Sequence, residues 1–478
     1  MFDLLLPEQS GSPLYLQIYH LIREQIRSGK VAAGTRLPSV RALQQQLHIS
    51  KTPVETAYHM LVVEGYALNK PKSGFYVVNP NFARNIETSS PAQRMQPNHT
   101  LPGFHDFHEL LPEEGMDWID FNPTLVDGDS FPMRTWNKML KEAAQLKTAQ
   151  LGQYGDSSGE PGLRGAISEY LAHSRGVICS PEQVIVGSGM SYSIGILVKL
   201  LDGARRVAFE EPGFDLVRNL LNGYGWETVP IPVGGHGLLV DALSNDHFQA
   251  VYVTPSHQFP TGGIMPYSQR VRLLAWAEMA GAYILEDDYD GEFRYQGKPI
   301  PSLQGLDNQG RVIYIGTFSK TLSPALRINY MVVPPSLQNN LSKLHPDQLY
   351  APSRLEQWAL EKFMRDGHWY KHLRKTRNLY RKKHHHLIDL IRIHLGEHVQ
   401  ITGQHAGLHL QLSVHRQGAA QELIQLAEKQ RVRVYDFRSM WAQHPDPDFP
   451  VVYLGFAGLP LSVMEEGILR LKTAWFDA

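Results

Sequence analysis

One stretch of the sequence decides the fold of the larger part of the chain: Tyr314-Ile315-Gly316-Thr317-Phe318-Ser319-Lys320-Thr321-Leu322-Ser323-Pro324-Ala325-Leu326-Arg327. It begins in an apolar run, residues 312–315, of the kind found in strands that are buried on both faces of a sheet. The lysine past this run is either an exposed loop amine or a partly desolvated amine that can attack a carbonyl. The neighbouring Thr317, Ser319 and Arg327 favour the second interpretation, because two hydroxyls and a cation suit a phosphate.

A second polar motif lies thirty-three residues before this lysine. Asp287 falls within Leu285-Glu286-Asp287-Asp288-Tyr289-Asp290, directly after another apolar run. An aldehyde cofactor with a phosphate and a pyridine ring needs an amine for an imine, an anion for the ring nitrogen and donors for the phosphate. Lys320, Asp287 and the hydroxyl-rich loop supply one of each, so the two motifs together predict a site for such a cofactor.

The chain around these motifs alternates short apolar runs with helical stretches. Six runs are candidate strands: 184–186, 206–209, 250–253, 283–285, 312–315 and 328–333. This alternation predicts an α/β fold with a parallel or mixed sheet, in which ligands bind at the ends of the strands.

The motifs resemble those of fold-type I pyridoxal-phosphate (PLP) enzymes of the aspartate aminotransferase family. The resemblance implies a lobe built on a large mixed or parallel sheet and a small C-terminal lobe. It implies that Lys320 forms the internal aldimine with PLP and that Asp287 pairs with the protonated pyridine nitrogen. Tyr289 would donate to the phenolic oxygen, and the hydroxyls and arginine named above would hold the phosphate.

One loop of the family is present with a departure. The segment Pro255-Ser256-His257-Gln258-Phe259-Pro260-Thr261-Gly262 resembles the Asn-Pro-Thr-Gly loop that follows a strand in these enzymes. Phe259 stands where the family has Asn, which normally bonds the phenolic oxygen. The resemblance leaves His257 and Gln258 as alternative donors.

Three further segments complete the cofactor site by resemblance. Glu211-Pro212-Gly213-Phe214 resembles the turn whose aromatic residue stacks on the ring, which makes Phe214 the candidate. Gly187-Ser188-Gly189-Met190-Ser191 resembles the loop whose amides bind phosphate at a helix N-terminus, although Ser191 replaces the usual Gln. Tyr154 resembles the tyrosine that reaches the phosphate of the neighbouring subunit, and it therefore implies a homodimer.

A second departure bears on the chemistry. Aminotransferases of this family place an Arg just before a short C-terminal strand, where it grips the substrate carboxylate, whereas this chain has Tyr453. Arg438 is the alternative cation for an effector carboxylate. Because a bidentate arginine clamp is a strong and orienting contact, its absence argues against efficient transamination of amino acids.

The first 80 residues have a different pattern. Apolar spacings of three and four predict a helix over residues 13–28, a second helix begins at Pro38, and a third covers residues 51–64, with Ser50 as its cap. Two short strands joined by a turn at residues 70–74 follow. This is the order of a winged helix-turn-helix, an α+β module that inserts the second helix of its motif into the major groove of DNA.

Two segments of this region, written with x for any residue, resemble the GntR-type winged helix: Leu37-Pro38-Ser39-Val40-Arg41-x-Leu43 and Ser50-Lys51-Thr52-Pro53-Val54-x-x-Ala57-Tyr58-x-x-Leu61-x-x-Glu64-Gly65-Tyr66. The resemblance implies that DNA is contacted by Arg41, Ser50, Lys51 and Thr52. The wing offers Lys70 and Lys72 in addition. A winged helix used only for protein contacts is the alternative.

Charge and composition divide the chain near residue 80. The 478 residues carry a net charge of −1, but residues 1–80 hold eight Lys or Arg against five Asp or Glu, a net +3, which leaves −4 for the rest. Residues 81–114 are rich in turn formers and are predicted to be a linker to the domain at 115–478. The near-zero total therefore hides a small basic module.

Composition also excludes several classes of protein. The single Cys179 rules out a disulfide framework and a multi-cysteine zinc site, and no apolar run approaches the roughly 18–20 residues that span a bilayer. We expect a cytoplasmic protein without a metal site or a membrane contact. The Lys382-Lys383-His384-His385-His386 run is predicted to be the solvated face of a helix.

A GntR-type head joined to an aminotransferase-like body resembles the bacterial MocR/GabR regulators over nearly the whole chain. The resemblance implies a dimeric transcription factor that binds operator DNA and senses PLP itself, an amine or an amino acid condensed with it. The alternative is an active aminotransferase whose head is vestigial. The head carries both its helix-turn-helix and its wing, which favours the regulator.

Overall fold

In the computed structural model, the described residues are 13–78 and 118–477, apart from 65, 71–72, 202, 204, 246, 296–299, 345–350 and 444–447. The predicted linker at 81–114 and the predicted wing residue Lys72 lie outside them. The chain divides into two compact units, Met1–Phe104 and His105–Ala478, which are called the head and the body below.

The head has the predicted order of elements: α1 Leu14–Arg27, α2 Val40–Leu47, α3 Lys51–Val63, β1 Ala67–Lys70 and β2 Gly74–Val77. The two strands pair antiparallel, with Ala67 opposite Val77. The periodic apolar residues of all three helices meet in one core, in which Ile22, Leu43 and Val54 are fully buried. This burial is what a three-helix module of this size needs for stability, since isolated helices of 8 to 14 residues are marginal in water.

The caps of the head helices differ from the prediction. Ser50 occupies the position before α3, but its side chain makes no capping hydrogen bond. The cap that does form is at α2, where the Ser39 hydroxyl accepts from the backbone amide of Ala42 at 3.1 Å. The Ser50 hydroxyl is therefore not used by its own helix.

The body contains the predicted large mixed sheet. Its strands run in the order β4-β11-β10-β9-β8-β5-β6-β7, and those between β10 and β6 are parallel. Within this sheet, β11 and β7 run in the direction opposite to that of the other six strands. All six predicted strands are present. The strands of the sheet are β4 Val184–Gly187, β5 Arg206–Glu211, β6 Glu227–Gly234, β7 Gly237–Leu238, β8 Ala250–Val253, β9 Tyr283–Asp288, β10 Val312–Thr317 and β11 Asn329–Val332.

Helices cover the faces of this sheet and extend into a small C-terminal lobe. Those of the body are α4 Met133–Leu146, α5 Pro161–Ser174, α6 Met190–Leu200, α7 Asp215–Gly223, α8 Tyr267–Ala280, α9 Leu303–Leu306, α10 Pro335–Lys343, α11 Arg354–Arg365, α12 His368–His394, α13 Ala420–Lys429 and α14 Leu461–Phe476. The continuous apolar strands of the central sheet are buried as predicted, because helices lie against both of their faces.

The small lobe is built on a three-stranded antiparallel sheet of the strands β12 Val399–Thr402, β13 His409–Val414 and β15 Val451–Gly455. A short parallel pair joins β3, Ile119–Asp120, to β14, Val432–Arg433. The stretch that follows β3 is thereby held against the small lobe, where the Gly455 amide donates to the carbonyl of Phe121 at 2.8 Å.

The histidine run of α12 is helical, but the prediction of a solvated face is wrong at two positions. Lys383 and His384 are buried. The Lys383 ammonium donates to Asp127 Oδ2 at 2.6 Å, and the His384 ring stacks on Tyr295 with centroids 4.3 Å apart. Burial lowers the pKa of His384 to about 4, so this ring is neutral. The run therefore spans the boundary between the core and the surface.

Candidate functional site

The candidate DNA-binding residues of the head lie on its surface. Arg41 is exposed at the start of α2, and Ser50, Lys51 and Thr52 are exposed at the start of α3. Lys51 forms only a surface ion pair with Glu55, at 2.8 Å. Such pairs contribute little and break readily, so the ammonium remains available to a phosphate.

The wing of the head presents a further cation. Lys70 is the last residue of β1 and is exposed. Its ammonium lies 4.8 Å from the ring centroid of Tyr76 on the paired strand β2. This contact directs the cation along the hairpin while leaving it in solvent.

In the body, the topology brings Asp287 and Lys320 to one edge of the sheet. Strands β9 and β10 are parallel neighbours, with Asp287 opposite Ile315. Their carboxyl ends therefore meet, and Lys320 follows in the loop between β10 and its antiparallel neighbour β11. The two residues are far apart in sequence and close in space because of this pairing.

Asp287 is a buried carboxyl with one hydroxyl partner. Its Oδ2 accepts from the Tyr252 hydroxyl at 2.6 Å, and the Tyr252 ring stacks on Phe209 with centroids 4.8 Å apart. Burial raises the pKa of Asp287 to about 7, and neighbouring carboxylates add to the rise. A cation beside this group would restore its charge.

The pKa of the next residue, Asp288, shifts in the opposite direction. Asp288 is also buried, but its Oδ2 lies 2.6 Å from the Arg175 guanidinium and 2.6 Å from the Tyr314 hydroxyl. Burial alone would raise its pKa, yet Arg175 and Tyr314 hold the pKa of this carboxyl below the ordinary value. Asp288 is thus already paired, whereas Asp287 is not.

Lys320 is half-buried, and its ammonium donates to the backbone carbonyl of Thr124 at 2.8 Å. Burial lowers the pKa of Lys320 to about 8, against an opposing effect of Asp290. About a tenth of such amines are uncharged at pH 7, compared with well under a thousandth for an ordinary lysine. The structure therefore supports the interpretation of a desolvated amine over that of a free loop lysine.

The side chains of His257, Tyr289 and Asp290 form a hydrogen-bonded group near Lys320. His257 Nδ1 lies 2.9 Å from the Tyr289 hydroxyl and 2.9 Å from Asp290 Oδ2. His257 is buried, and its Nε2 has no hydrogen-bond partner among the described residues. A carboxylate next to Nδ1 favours the tautomer that carries the proton on this nitrogen.

The other predicted donor of this loop has a different role. The Gln258 side-chain amide donates to the carbonyls of Pro212 and Phe259, both at 2.8 Å, and its oxygen accepts from the Thr261 hydroxyl at 2.6 Å. These bonds use the amide within its own loop and the adjoining turn. Of the two residues, it is His257 that contacts Tyr289.

The predicted phosphate residues gather at the start of α6. Arg327 has a left-handed backbone with φ of 51°, and a Cβ placed on Gly189 would lie only 2.6 Å from its guanidinium. Gly189 precedes Met190 and the exposed Ser191, so backbone amides, which favour anions, begin the helix here.

The hydroxyls of the lysine loop complete this group. Thr317 and Ser319 are half-buried, and their hydroxyl oxygens lie 3.0 Å apart. The Thr317 hydroxyl also accepts from the Ser319 amide at 3.1 Å. The loop is thereby held with both hydroxyls on one side of the turn that leads to Lys320.

Aromatic rings from both lobes line the same region. Phe214 lies at the start of α7 and meets the edge of Phe259, with centroids 5.6 Å apart. Phe259 also contacts Phe437 of the small lobe at 4.9 Å. Tyr453, which stands where the family has its arginine, packs against Phe437 at 4.2 Å.

The predicted carboxylate residue, Arg438, follows Phe437 and is exposed. Its segment is tied to the turn that carries Phe214. The Met440 carbonyl accepts from the Gly213 amide and from the Arg218 guanidinium, both at 3.0 Å. Arg438 is therefore kept at the rim of the site.

Tyr154 stands apart from these residues within one chain. Its side chain is fully exposed, at 105% of the reference area. The loop that carries it is nevertheless held, because Arg354 donates to the carbonyls of Gln150 and Gln153 and pairs with the buried Glu160 at 2.7 Å. A held loop with a free tyrosine is what a contact with a second subunit would require.

Sequence reasoning missed Tyr252, Asp290, Arg175 and His409 as members of the site. A signal existed for two of them. Tyr252 lies in a strand whose other residues are all apolar, and a buried tyrosine hydroxyl needs a partner. Asp290 belongs to the quoted acidic motif. Arg175 and His409 enter from α5 and β13, and only the tertiary structure brings them near.

Comparison with known families agrees with this architecture. Residues 14–77 match bacterial regulatory proteins of the gntR family, and residues 117–447 match aminotransferase class I and II. The chain is 35% identical over 473 residues to the probable rhizopine catabolism regulatory protein MocR of Rhizobium meliloti, covering 99% of this chain and 96% of the relative. The chain belongs to the MocR/GabR subfamily of GntR transcriptional regulators. This MocR-type regulator is also 40% identical to the HTH-type transcriptional regulator YdeL of Bacillus subtilis strain 168, covering 97% of each chain.

Solved structures resemble the body of this MocR-type regulator. A Pyrococcus horikoshii kynurenine aminotransferase has a TM-score of 0.68 at 25% identity, covering 76% of this chain and 91% of the enzyme. LysN, an α-aminoadipate aminotransferase of Thermus thermophilus complexed with N-(5'-phosphopyridoxyl)-L-leucine, has a TM-score of 0.67 at 25% identity and covers 75% and 92%. The body thus has a fold-type I aminotransferase-like fold. Among the described helices, none is long and apolar enough to cross a membrane.

Proposed function

We propose that this transcriptional regulator binds PLP as an imine with Lys320 and that its body senses PLP itself, or an amine or amino acid that condenses with it. The observation that carries the proposal is that Asp287 lies at the carboxyl end of β9 and that Lys320 follows the carboxyl end of its parallel neighbour β10. Operator DNA is bound by the head through Arg41, Ser50, Lys51, Thr52 and the wing. Ligand binding shifts the protein between arrangements to the extent that one arrangement binds the ligand better.

The residues of the site fit PLP. The unpaired carboxyl of Asp287, whose pKa burial raises to about 7, is suited to a protonated pyridine nitrogen. Arg327 faces a position that only glycine leaves open, at the start of a helix, which suits a phosphate. Phe214 is the candidate to pack on the ring, and Tyr289 is the candidate for the phenolic oxygen. When bound, PLP would supply an electrophilic carbon and an electron-withdrawing ring.

Residues of this chain affect the position of two protons in the site, one on Lys320 and one on His257. The lowered pKa of Lys320 makes the uncharged amine accessible near neutral pH. Asp290 favours the tautomer that carries the proton on His257 Nδ1. The Tyr289 hydroxyl lies 2.9 Å from the same nitrogen and is the candidate donor to the phenolic oxygen.

The exposed Tyr154 supports a homodimer in which its hydroxyl reaches the partner's phosphate site. The tyrosine is fully exposed among the described residues while its loop is held by Arg354, so its side chain is available to a second molecule. Light scattering of the purified protein tests this assembly, and a monomer at micromolar concentration would contradict it.

The first experiment measures cofactor capture. The full-length protein is titrated with PLP, the visible absorbance of the imine is recorded, and the product is reduced with borohydride and mapped by mass spectrometry. Wild type should gain the band with the label on Lys320, and Lys320→Ala should lose both. Lys371→Ala, which removes an exposed lysine of α12, is the matched control and should behave as wild type. A label on another lysine would refute the assignment.

The second experiment measures DNA binding. Gel shifts on the region upstream of the gene are run with apo protein, with PLP, and with PLP plus amines, at several salt concentrations. Arg41→Ala should weaken binding several-fold and lower the salt dependence by about one released counterion, without changing the visible band. No shift on this DNA, together with rapid turnover of an amino donor and a keto acid, would instead identify an aminotransferase with a vestigial head.

A further inference from the structure

The ring cluster next to Lys320 has a chemical character of its own. Phe259 lies at its centre, with Phe214 at 5.6 Å, Tyr289 at 5.8 Å and Phe437 at 4.9 Å between ring centroids. We call Phe214, Phe259, His409, Phe437 and Tyr453 the ring wall. The three phenylalanines remain half-buried in spite of these contacts, so one side of each ring is still open.

The ring wall lies close to the reactive amine. Tyr289 touches Phe259 and belongs to the same turn as Asp290, whose charge acts on Lys320. His409, which lies 5.6 Å from Phe259, is in turn affected by the charge of Lys320. A group attached to the nitrogen that replaces Lys320 would therefore extend along the wall.

None of the five ring-wall residues carries a fixed positive charge, because burial lowers the pKa of His409 to about 3 and its imidazole is neutral. Arg218, which donates to the Met440 carbonyl behind Phe437, already faces the carboxylate of Glu211 at 3.7 Å. The carboxylate of Asp290 lies on the other side, against His257. A second carboxylate placed here would be desolvated beside like charge, which is strongly unfavourable. Arg438, exposed at the rim next to Phe437, is placed to hold one carboxylate at most.

We propose that the effector is a primary amine with an aromatic substituent, carrying no carboxylate beyond the one that Arg438 would hold. The proposal rests on the proposed function and names the ligand class of the same site. The effector nitrogen would bond to the PLP carbon to which the Lys320 nitrogen is bound. The bond between that carbon and the Lys320 nitrogen would then break. The two protons of the effector amine would pass to Lys320, which leaves as a primary amine. Ring contacts with the wall should favour an aromatic over a charged substituent by about tenfold or more.

The test uses full-length protein loaded with PLP. Phenethylamine, L-phenylalanine, L-glutamate and 5-aminopentanoate are titrated, and apparent dissociation constants are read from the change in the visible band and from calorimetry. The two aromatic amines should bind at least about tenfold more tightly than the two with a distal carboxylate. Arg438→Ala should weaken L-phenylalanine and leave phenethylamine unchanged.

Variants of the wall separate recognition from folding. Phe437→Leu keeps an apolar side chain of similar volume and should reduce the aromatic preference to less than about threefold. Phe449→Leu makes the same change at an exposed ring of the small lobe that contacts His415, and should leave the preference intact. Thermal unfolding of both variants checks that the lobe is preserved.

The outcomes are distinguishable. If PLP produces no band, the proposed function falls and the inference falls with it. If the band forms but the distal carboxylates bind as tightly as the aromatic amines, or if no amine changes the band, only the inference is overturned. An unchanged preference in Phe437→Leu would also overturn the ring wall as the recognition surface.

Discussion

The head and the body place their functional charges in opposite environments. In the head, Arg41 and Lys51 are exposed and follow directly from local sequence, because they lie at the starts of two short helices. In the body, Asp287 and Asp288 are buried and their pKa values shift in opposite directions. Burial and the adjacent carboxylates raise that of Asp287, whereas Arg175 and Tyr314, which are remote in sequence, lower that of Asp288. A surface that attracts phosphate needs only the sign of its charges, whereas a site that tunes a proton needs each charge placed against particular neighbours.

The largest effect that follows from this difference is on stability. Asp288→Asn leaves the Arg175 guanidinium buried without a counter-charge, and it should lower the free energy of unfolding of the body by about 3–5 kcal/mol, measured by urea denaturation. The wild-type contribution should be present above the ordinary pKa of aspartate and lost as the pH falls below it, because the folded-state pKa of Asp288 is lowered.

The matched change in the head is Arg41→Ala, which removes an exposed charge. It should alter stability by no more than about 0.5 kcal/mol while weakening DNA binding. Equal stability losses in the two variants would break the comparison between an exposed and a buried charge site.

A second prediction concerns the pH dependence of cofactor capture. Because the pKa of Lys320 is lowered to about 8, the initial rate at which the visible band forms should rise about tenfold per pH unit below pH 8 and level off above it. The same PLP reacting with an unhindered model amine in solution corrects for the titration of PLP itself. A corrected rate that still rises tenfold per unit beyond pH 9 would mean that the lysine has an ordinary pKa.

The third prediction sharpens the description of the head. Ser39→Ala removes the hydroxyl that caps α2 and should cost about 1 kcal/mol of the stability of the head. Ser50→Ala should cost clearly less, since that hydroxyl makes no capping bond, yet it should affect DNA binding more. Thermal unfolding and gel shifts of the two variants provide the comparison, and a larger stability loss for Ser50→Ala would contradict it.

The smallest effect on stability is expected at Tyr154. Tyr154→Ala removes a fully exposed side chain and should change the unfolding free energy of the isolated subunit by less than about 0.5 kcal/mol. PLP affinity should nevertheless fall several-fold if the tyrosine reaches a partner's phosphate site. Fluorescence titration with PLP measures this, and an unchanged affinity would remove Tyr154 from the site.

The sequence was informative where chemistry and local pattern coincide. The six strands and the order of the head elements were predictable because buried strands and amphipathic helices have distinct apolar periods. The family motifs also identified Lys320 and Asp287 as a pair. Cofactor contacts by the predicted site residues remain predictions.

What the sequence could not show depends on long-range packing. The sequence left His257 and Gln258 as alternative donors to the phenolic oxygen. It could not show that the Gln258 amide is bonded to Pro212 and Thr261, because that depends on how the loop packs. Nothing in the run around His384 indicates that it is buried, because that depends on which face of a 27-residue helix meets Tyr295. The local sequence pattern indicates which side chains share a face of a helix, and the tertiary structure shows which face is covered.

The bond between Lys320 and the carbonyl of Thr124 has a consequence for how the protein changes state. An ammonium that becomes part of an imine gives up hydrogens, so the Thr124 carbonyl loses this donor whenever the lysine is engaged elsewhere. Thr124 belongs to the first stretch of the body that the structure describes, a few residues after β3. If Lys320 forms the proposed imine, occupation of the site and the anchoring of this stretch compete for one nitrogen.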